Sequence, residues 1–296
     1  MTSLLTDTIS ATSSGTATQR VVIQGYEGAF HEIAARLYHG EKAIEIVPAH
    51  TFDELVDVTE RAERADMALM AIENTVAGSI MSNYNLLSEA KLRIVGEIYL
   101  RIKQNLMVLP GVALEDLEEV HSHYMAIAQC RNFLRQYPHI RLVETADTAL
   151  SARNVRDKQW KNVGAIASTL AADMYGLDII GASIETNKKN YTRFLVLEPR
   201  SDKPFPEEAD KVSLCFSSKH EVGHLQKILN VLAAYDANLT KIQSTPIIGK
   251  PWEYRFFVDF VMGKGYSPQQ AIAAIEPLTK ELNIMGIYGK GIEYEY

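Results

Sequence analysis

The 296-residue chain holds only two cysteines, Cys130 and Cys215, and no Cys-x-x-Cys pair. Neither a disulfide framework nor a zinc site is indicated, and both thiols read as buried, small and reduced, as in a cytoplasmic protein. Basic charge is scarce as well. The formal net charge is −7, and residues 211–296 carry nine basic against eight acidic side chains, so the acidic excess lies upstream. No stretch forms the basic face that a nucleic-acid partner requires, and an anionic ligand must be held by local donors against the overall field. Residues 1–20 lack the apolar core of a signal peptide; rich in serine and threonine, they read as a disordered tail, neither export signal nor membrane span. After Gly25 and Gly28 there is no third glycine to complete a dinucleotide fingerprint.

What remains is an ordinary globular composition, 47% hydrophobic and 23% charged, long enough for about two domains. Strand and helix patterns alternate from 21 to 197 and predict an α/β unit. A short strand at 21–23 runs into Gly25-Tyr26-Glu27-Gly28-Ala29-Phe30-His31, which turns into a helix; the turn is either a backbone anion site or simply tight packing. Residues 67–72 are all apolar, a strand buried on both faces. It ends in Glu73-Asn74-Thr75-Val76-Ala77-Gly78-Ser79, polar residues where an open α/β sheet meets its ligands, or a capped turn. An acidic helix start is expected after Pro110-Gly111. At 120–124 a strand meets a helix, with Ser122 as N-cap and His123 as a polar first-turn residue. Asp147-Thr148 caps the next helix, and a strand at 163–167 leads through Ser168 into a helix that stops at Gly176.

The chemistry is expected at 187–197. Lys188, Lys189, Asn190, Thr192 and Arg193, all donors, crowd the entrance to an apolar run at 194–197 that is too short for a helix. That is the pattern of a binding loop entering a buried strand.

Six motifs in order, spanning roughly 20–200, resemble prephenate dehydratase: Gly25-x-x-Gly28-x-Phe30, Ile72-Glu73-Asn74-Thr75-x-x-Gly78, Ser122-His123 followed by Gln129, Asp147-Thr148-Ala149, Ala165-Ile166-Ala167-Ser168, and Asn190-x-Thr192-Arg193-Phe194. The resemblance implies two α/β lobes around a cleft, like a type II periplasmic binding protein, over residues 20–198, with lobe crossings near 99–103 and 185–190. It implies conversion of prephenate to phenylpyruvate, water and carbon dioxide, with no metal and no organic cofactor. Thr192 is the expected hydrogen-bond donor to the departing hydroxyl, with Glu73 as an alternative general acid. Substrate contacts are expected from Gly28, Ala29, Phe30, Asn74, Thr75, Ser79, Ser122, His123, Asn190 and Phe194. Arg193 is either a bidentate carboxylate clamp or a scaffold residue paired with Glu73. Tyr26, Ala29 and His31 stand where the family usually has Pro, Thr and Ser, and Tyr124 where it has Pro. The first turn thus lacks a hydroxyl, leaving His31 or backbone amides to serve.

Residues 199–210 form a charged, proline-rich linker. Beyond it a βαββαβ order implies a ferredoxin-like sandwich over 211–296. It resembles an ACT domain, the phenylalanine-binding regulatory unit of this family. Gly223-His224-Leu225, Asn238-Leu239 and Gln243-Ser244 fall at the effector positions, with His224, Gln243 and Thr245 departing from the family pattern. Phenylalanine feedback and a homodimer or homotetramer are expected by this resemblance. Arogenate in place of prephenate, or a non-catalytic metabolite sensor, are the rival readings.

Overall fold

A computed structural model describes residues 18–218 and 221–295; the tail expected at the start lies, up to residue 17, outside the described residues. The first strand begins at Gln19, two positions earlier than the apolar run suggests, because Arg20 is tied to Asp66 through both its backbone and its guanidinium. The first lobe consists of β1 (Gln19–Gln24), α1 (Phe30–His39), β2 (Ile44–Ala49), α2 (Phe52–Arg61), β3 (Met67–Asn74), β4 (Gly78–Ser79), α3 (Met81–Glu89) and β5 (Leu92–Arg101). The chain then crosses to a second sheet built from β6 (Asn105–Val108), β7 (Glu119–His123), β8 (Arg141–Thr145), β9 (Val163–Ala167) and β10 (Asp178–Gly181). Its helices are α4 (Tyr124–Gln129), α5 (Arg131–Leu134), α6 (Thr148–Asp157) and α7 (Thr169–Tyr175). The return crossing ends at β11 (Tyr191–Pro199), which inserts antiparallel between β3 and β5 of the first lobe.

Local chemistry explains most of these boundaries. Thr51, Asp147 and Ser168 cap α2, α6 and α7, each accepting a backbone N–H from three residues on. The helix expected after Gly111 is only a single 3-10 turn, Leu114–Asp116. Glu118 and Glu119 both donate their N–H to Asn162 O and so draw the chain into β7 instead.

The C-terminal module, β12 (Lys211–Ser217), α8 (His224–Ala234), β13 (Ala237–Pro246), β14 (Tyr254–Met262), α9 (Pro268–Ile275) and β15 (Lys280–Tyr288), has the ferredoxin-like strand order β13-β14-β12-β15. Its sheet is continuous with the first lobe: β15 meets β5 at Gly286 opposite Ile94, and β16 (Ile292–Tyr294) runs on along the same edge. A Cβ at Gly286 would stand 2.4 Å from Ile94 O, so only glycine permits this approach. The module also shares a core with the lobe, where Cys215, Phe257, Met285 and Tyr288 pack among Tyr84, Leu92, Ile94 and Leu195. Among the described residues the joined sheet has eleven strands, and no helix is long and apolar enough to cross a membrane.

Candidate active site

The two lobes enclose a cavity of about 420 Å³. The first lobe contributes Gln24, Ala29, Phe30, His31, Phe52, Ala71, Asn74, Ala77, Ile80, Thr192 and Phe194; the second contributes His123 to Ala126, Gln129 and Ala146 to Thr148. Ile102 and Gln104, from the crossing after β5, close the bottom. The starts of α1, α4 and α6 all face this space, so partial positive charge from helix termini converges on it. Among the described residues that line it, none is lysine or arginine.

A chain of side-chain amides fixes the polar face of the cavity, and its orientation follows from the backbone. Val76 and Ala77 donate their N–H to Asn74 Oδ1 at 3.0 and 2.9 Å. Asn74 Nδ2 must then point the other way, where it donates to Asn190 Oδ1 (2.7 Å), Tyr191 O (3.2 Å) and Thr192 Oγ1 (3.0 Å). Asn190 Nδ2 in turn donates to Gln129 Oε1 at 3.0 Å, and Gln104 Nε2 reaches the same oxygen at 3.4 Å. Each amide has one assignment because its predecessor has one. The consequence falls on Thr192: with Oγ1 already accepting from Asn74, its own O–H is left to donate.

Burial shifts the titratable groups in the cavity. Burial lowers the His31 pKa to about 4, so its ring is uncharged; Nε2 accepts from Ala71 N, and the ring stands edge-on to Phe194 at 4.9 Å. Burial also lowers the His123 pKa, opposed by the charges of Asp147 and Glu144. Asp147 is raised by burial, against hydrogen bonds from Leu150 and Ala149 N–H. Among the described residues no group of three His, Cys, Asp or Glu is placed to hold a metal ion.

A family model described as prephenate dehydratase matches residues 21–202, the span that builds both lobes and every residue of this cavity. The chain belongs to the prephenate dehydratase family. Members of the prephenate dehydratase family are carbon–oxygen lyases. Arogenate dehydratase 2 of Petunia hybrida is 38% identical over 91% of this chain and 71% of its own length. The solved structure of prephenate dehydratase from Arthrobacter aurescens in complex with L-Phe is 26% identical, with a TM-score of 0.80 over 91% of this chain and 89% of that one. A structure described as GqqA, a novel type of quorum quenching acylases, is 30% identical, with a TM-score of 0.82 over 92% and 98% of the two chains.

The cavity brings together Ala29, Phe30, Asn74, His123, Thr192 and Phe194. Asn190 stands just behind them, 1% exposed, as the link between Asn74 and Gln129. Other expected contacts lie elsewhere. The N–H of Gly28 is already donated to Glu32 Oε2 at 2.7 Å, and its α-carbon packs on the second lobe, where a Cβ would sit 3.0 Å from Ala171 Cα. Its φ of +85° likewise calls for glycine, so tight packing accounts for the turn. Thr75 uses its hydroxyl on Lys189 O and Tyr191 N, bracing the return crossing. Ser122 is fully buried and donates to Ile166 O, while His123 takes the N-cap position expected for it. Ser79 accepts from Lys241 of the C-terminal module.

Glu73 and Arg193 also leave the cleft, and the pleat explains why. Thr192 and Phe194 point into the cavity; Arg193, between them on β11, points to the opposite face. There it is 4% exposed and donates to Glu97 Oε2 (2.7 Å), Asp259 Oδ2 (2.5 Å) and Tyr288 Oη (3.1 Å). Burial alone would lower its pKa, but Asp259, Tyr288 and Glu97 outweigh it and raise the value well above normal. Arg193 is thus a scaffold cation and not a clamp. Glu73 pairs with Lys241 at 3.1 Å and Arg193 at 3.6 Å on that same far face. At the effector positions His224 is buried, bonded through Nε2 to Leu278 O at 2.7 Å, whereas Gly223, Asn238 and Ser244 are exposed.

Proposed function

We propose that the chain removes water and carbon dioxide together from prephenate to give phenylpyruvate, with Thr192 donating a hydrogen bond to the departing hydroxyl. The observation that carries this reading is the Asn74 amide, which donates to Thr192 Oγ1 and leaves the Thr192 O–H to donate in turn. A donor held ready at the oxygen where charge develops is worth about 2.7–4 kcal/mol in the transition state. Thr192 assists departure by hydrogen bonding; the electron pair released by carbon dioxide loss supplies the aromatic ring and drives it. The substrate's two carboxylates are received without a cation in the lining. Backbone N–H groups at the start of α1 take that part.

The C-terminal module is the expected receptor for phenylalanine, supported by the L-Phe held in the Arthrobacter relative. Gly223, Leu225, Asn238, Leu239, Gln243 and Ser244 are the candidate contacts; His224, satisfied by Leu278, is removed from that set. The free edge of β13 suits pairing with a second copy of the chain.

A second reading takes arogenate as substrate, favoured by the identity to the Petunia arogenate dehydratase. Acyl transfer is less well supported: Thr192 Oγ1 bonds an amide, and among the described residues no histidine or carboxylate hydrogen-bonds it to make a nucleophile. Incubating the purified chain with prephenate and, separately, arogenate tests the proposal. Phenylpyruvate from the first is expected; phenylalanine from arogenate alone establishes the second reading, and no product from either overturns both.

A further inference from the structure

The ribbon formed by β3 and β11 serves two neighbours. Toward the cleft it presents the paired residues Asn74 and Thr192; one step along, the paired residues Glu73 and Arg193 face the C-terminal module. The module answers with a cross-strand pair of its own, Lys241 on β13 and Asp259 on β14. The charges interlock: Arg193 Nη1 lies 2.5 Å from Asp259 Oδ2, and Lys241 Nζ lies 3.1 Å from Glu73 Oε1. Lys241 also donates to Ser79 Oγ on β4, directly opposite Glu73 in the β3–β4 pair. Arg193, Lys241 and Asp259 are all more than nine-tenths buried, so these bonds form in a low-dielectric setting where geometry is strictly enforced. The strand ends that carry Asn74 and Thr192 are thereby pinned from behind by two residues of the module.

We propose that Lys241 and Asp259 are positioning residues for the reaction in the cleft. Acting through Glu73 and Arg193, they set the spacing of β3 against β11, and with it the Asn74–Thr192 contact that aims the hydroxyl. The inference rests on the reading of Thr192 given above. Neither residue reaches the cavity, yet the module is in this sense part of the active site. Any ligand that displaces β13 against β14 is felt at Thr192 through two ion pairs.

Steady-state kinetics on the full chain test this with Lys241→Met, Lys241→Arg, Glu73→Gln and the double variant Lys241→Met/Glu73→Gln. Lys241→Met is expected to lower kcat about 10- to 100-fold, the scale of a small misplacement near the reacting atoms, with KM nearly unchanged. Glu73→Gln should match it, the double variant should be no worse than either single one, and Lys241→Arg should retain most of the rate. Multiplicative losses, or a kcat indifferent to Lys241→Met, overturn the proposal. So does a Glu73→Gln loss far exceeding that of Lys241→Met, since Glu73 would then act directly. If Lys241→Met fails to fold, Lys241→Gln, which keeps a donor for Ser79 without the charge, carries the same expectation. A parent chain inactive on both prephenate and arogenate overturns the dehydratase reading itself, whereas an active parent indifferent to Lys241 overturns only the positioning role.

Discussion

Replacing Thr192 by valine removes one oxygen and keeps the shape of the side chain, so it isolates the hydroxyl. Asn74 Nδ2 loses an acceptor at 3.0 Å but keeps Asn190 Oδ1 at 2.7 Å and Tyr191 O at 3.2 Å, and no buried donor is orphaned. The stability cost is therefore that of a single hydrogen bond, about 0.5–1.5 kcal/mol. The catalytic cost is larger, because a donor aimed at developing charge in a water-poor site contributes about 2.7–4 kcal/mol, or roughly 10²- to 10³-fold in kcat. Thr192→Ser keeps the oxygen and should stay within about tenfold of the parent, the loss reflecting only added side-chain freedom. Phenylpyruvate formation under saturating prephenate gives kcat, and thermal unfolding of the same samples gives the stability change. If Thr192→Val retains the parental rate, or if Ser is as damaging as Val, the hydroxyl is not the group that assists departure.

Three further perturbations follow from buried contacts. The folded-state pKa of His31, about 4, lies below its unfolded value near 6.5, so the unfolded chain protonates first and stability is lost as pH falls from about 6.5 to 4. His31→Phe should remove up to about 3 kcal/mol of that loss, read from denaturant unfolding at pH 7 and pH 4.5; an unchanged pH dependence refutes the assignment. Arg193→Met takes from Asp259 its ion-pair partner and leaves Glu97 paired with Lys211, and should cost about 3–5 kcal/mol in unfolding free energy. Gly286→Ala places a methyl 2.4 Å from Ile94 O and should cost about 1–3 kcal/mol, with faster hydrogen exchange along β5.

The parts of this molecule legible in its sequence are those written locally. Strand–helix alternation, the cap at Asp147, and the βαββαβ order all come from spacings of a few residues, and they appear where the spacings put them. Thr192, Asn74 and Phe194 stood in motifs and stand in the cavity. Their neighbours Glu73 and Arg193 stood in the same motifs yet face away, because a motif does not say which side of a pleat a residue occupies. Period-two counting from Thr192 through Phe194 carried the missing signal. Gln104 and Ile102 had none, since they reach the cleft only where the chain crosses between sheets. Gln129 was quoted in a motif without a role and Asp147 only as a helix cap; three-dimensional closure of the amide chain and of α6 onto the cleft was needed to place them there. Ser122 failed for a different reason: a buried hydroxyl takes the nearest carbonyl, here Ile166 O, before it serves a ligand.

The close approach at Gly28 fastens the two lobes to each other. Ser168 Oγ donates to Gly28 O and Tyr175 Oη to Glu27 O, while Ala29 and Tyr26 pack into the second lobe's core. These contacts bridge the lobes at the turn that leads into α1, beside the cavity. Separating the lobes at this turn breaks two hydrogen bonds, about 1 kcal/mol each, and lifts an alanine out of apolar packing. Parting the lobes on this side therefore costs the molecule these contacts each time the cleft opens there.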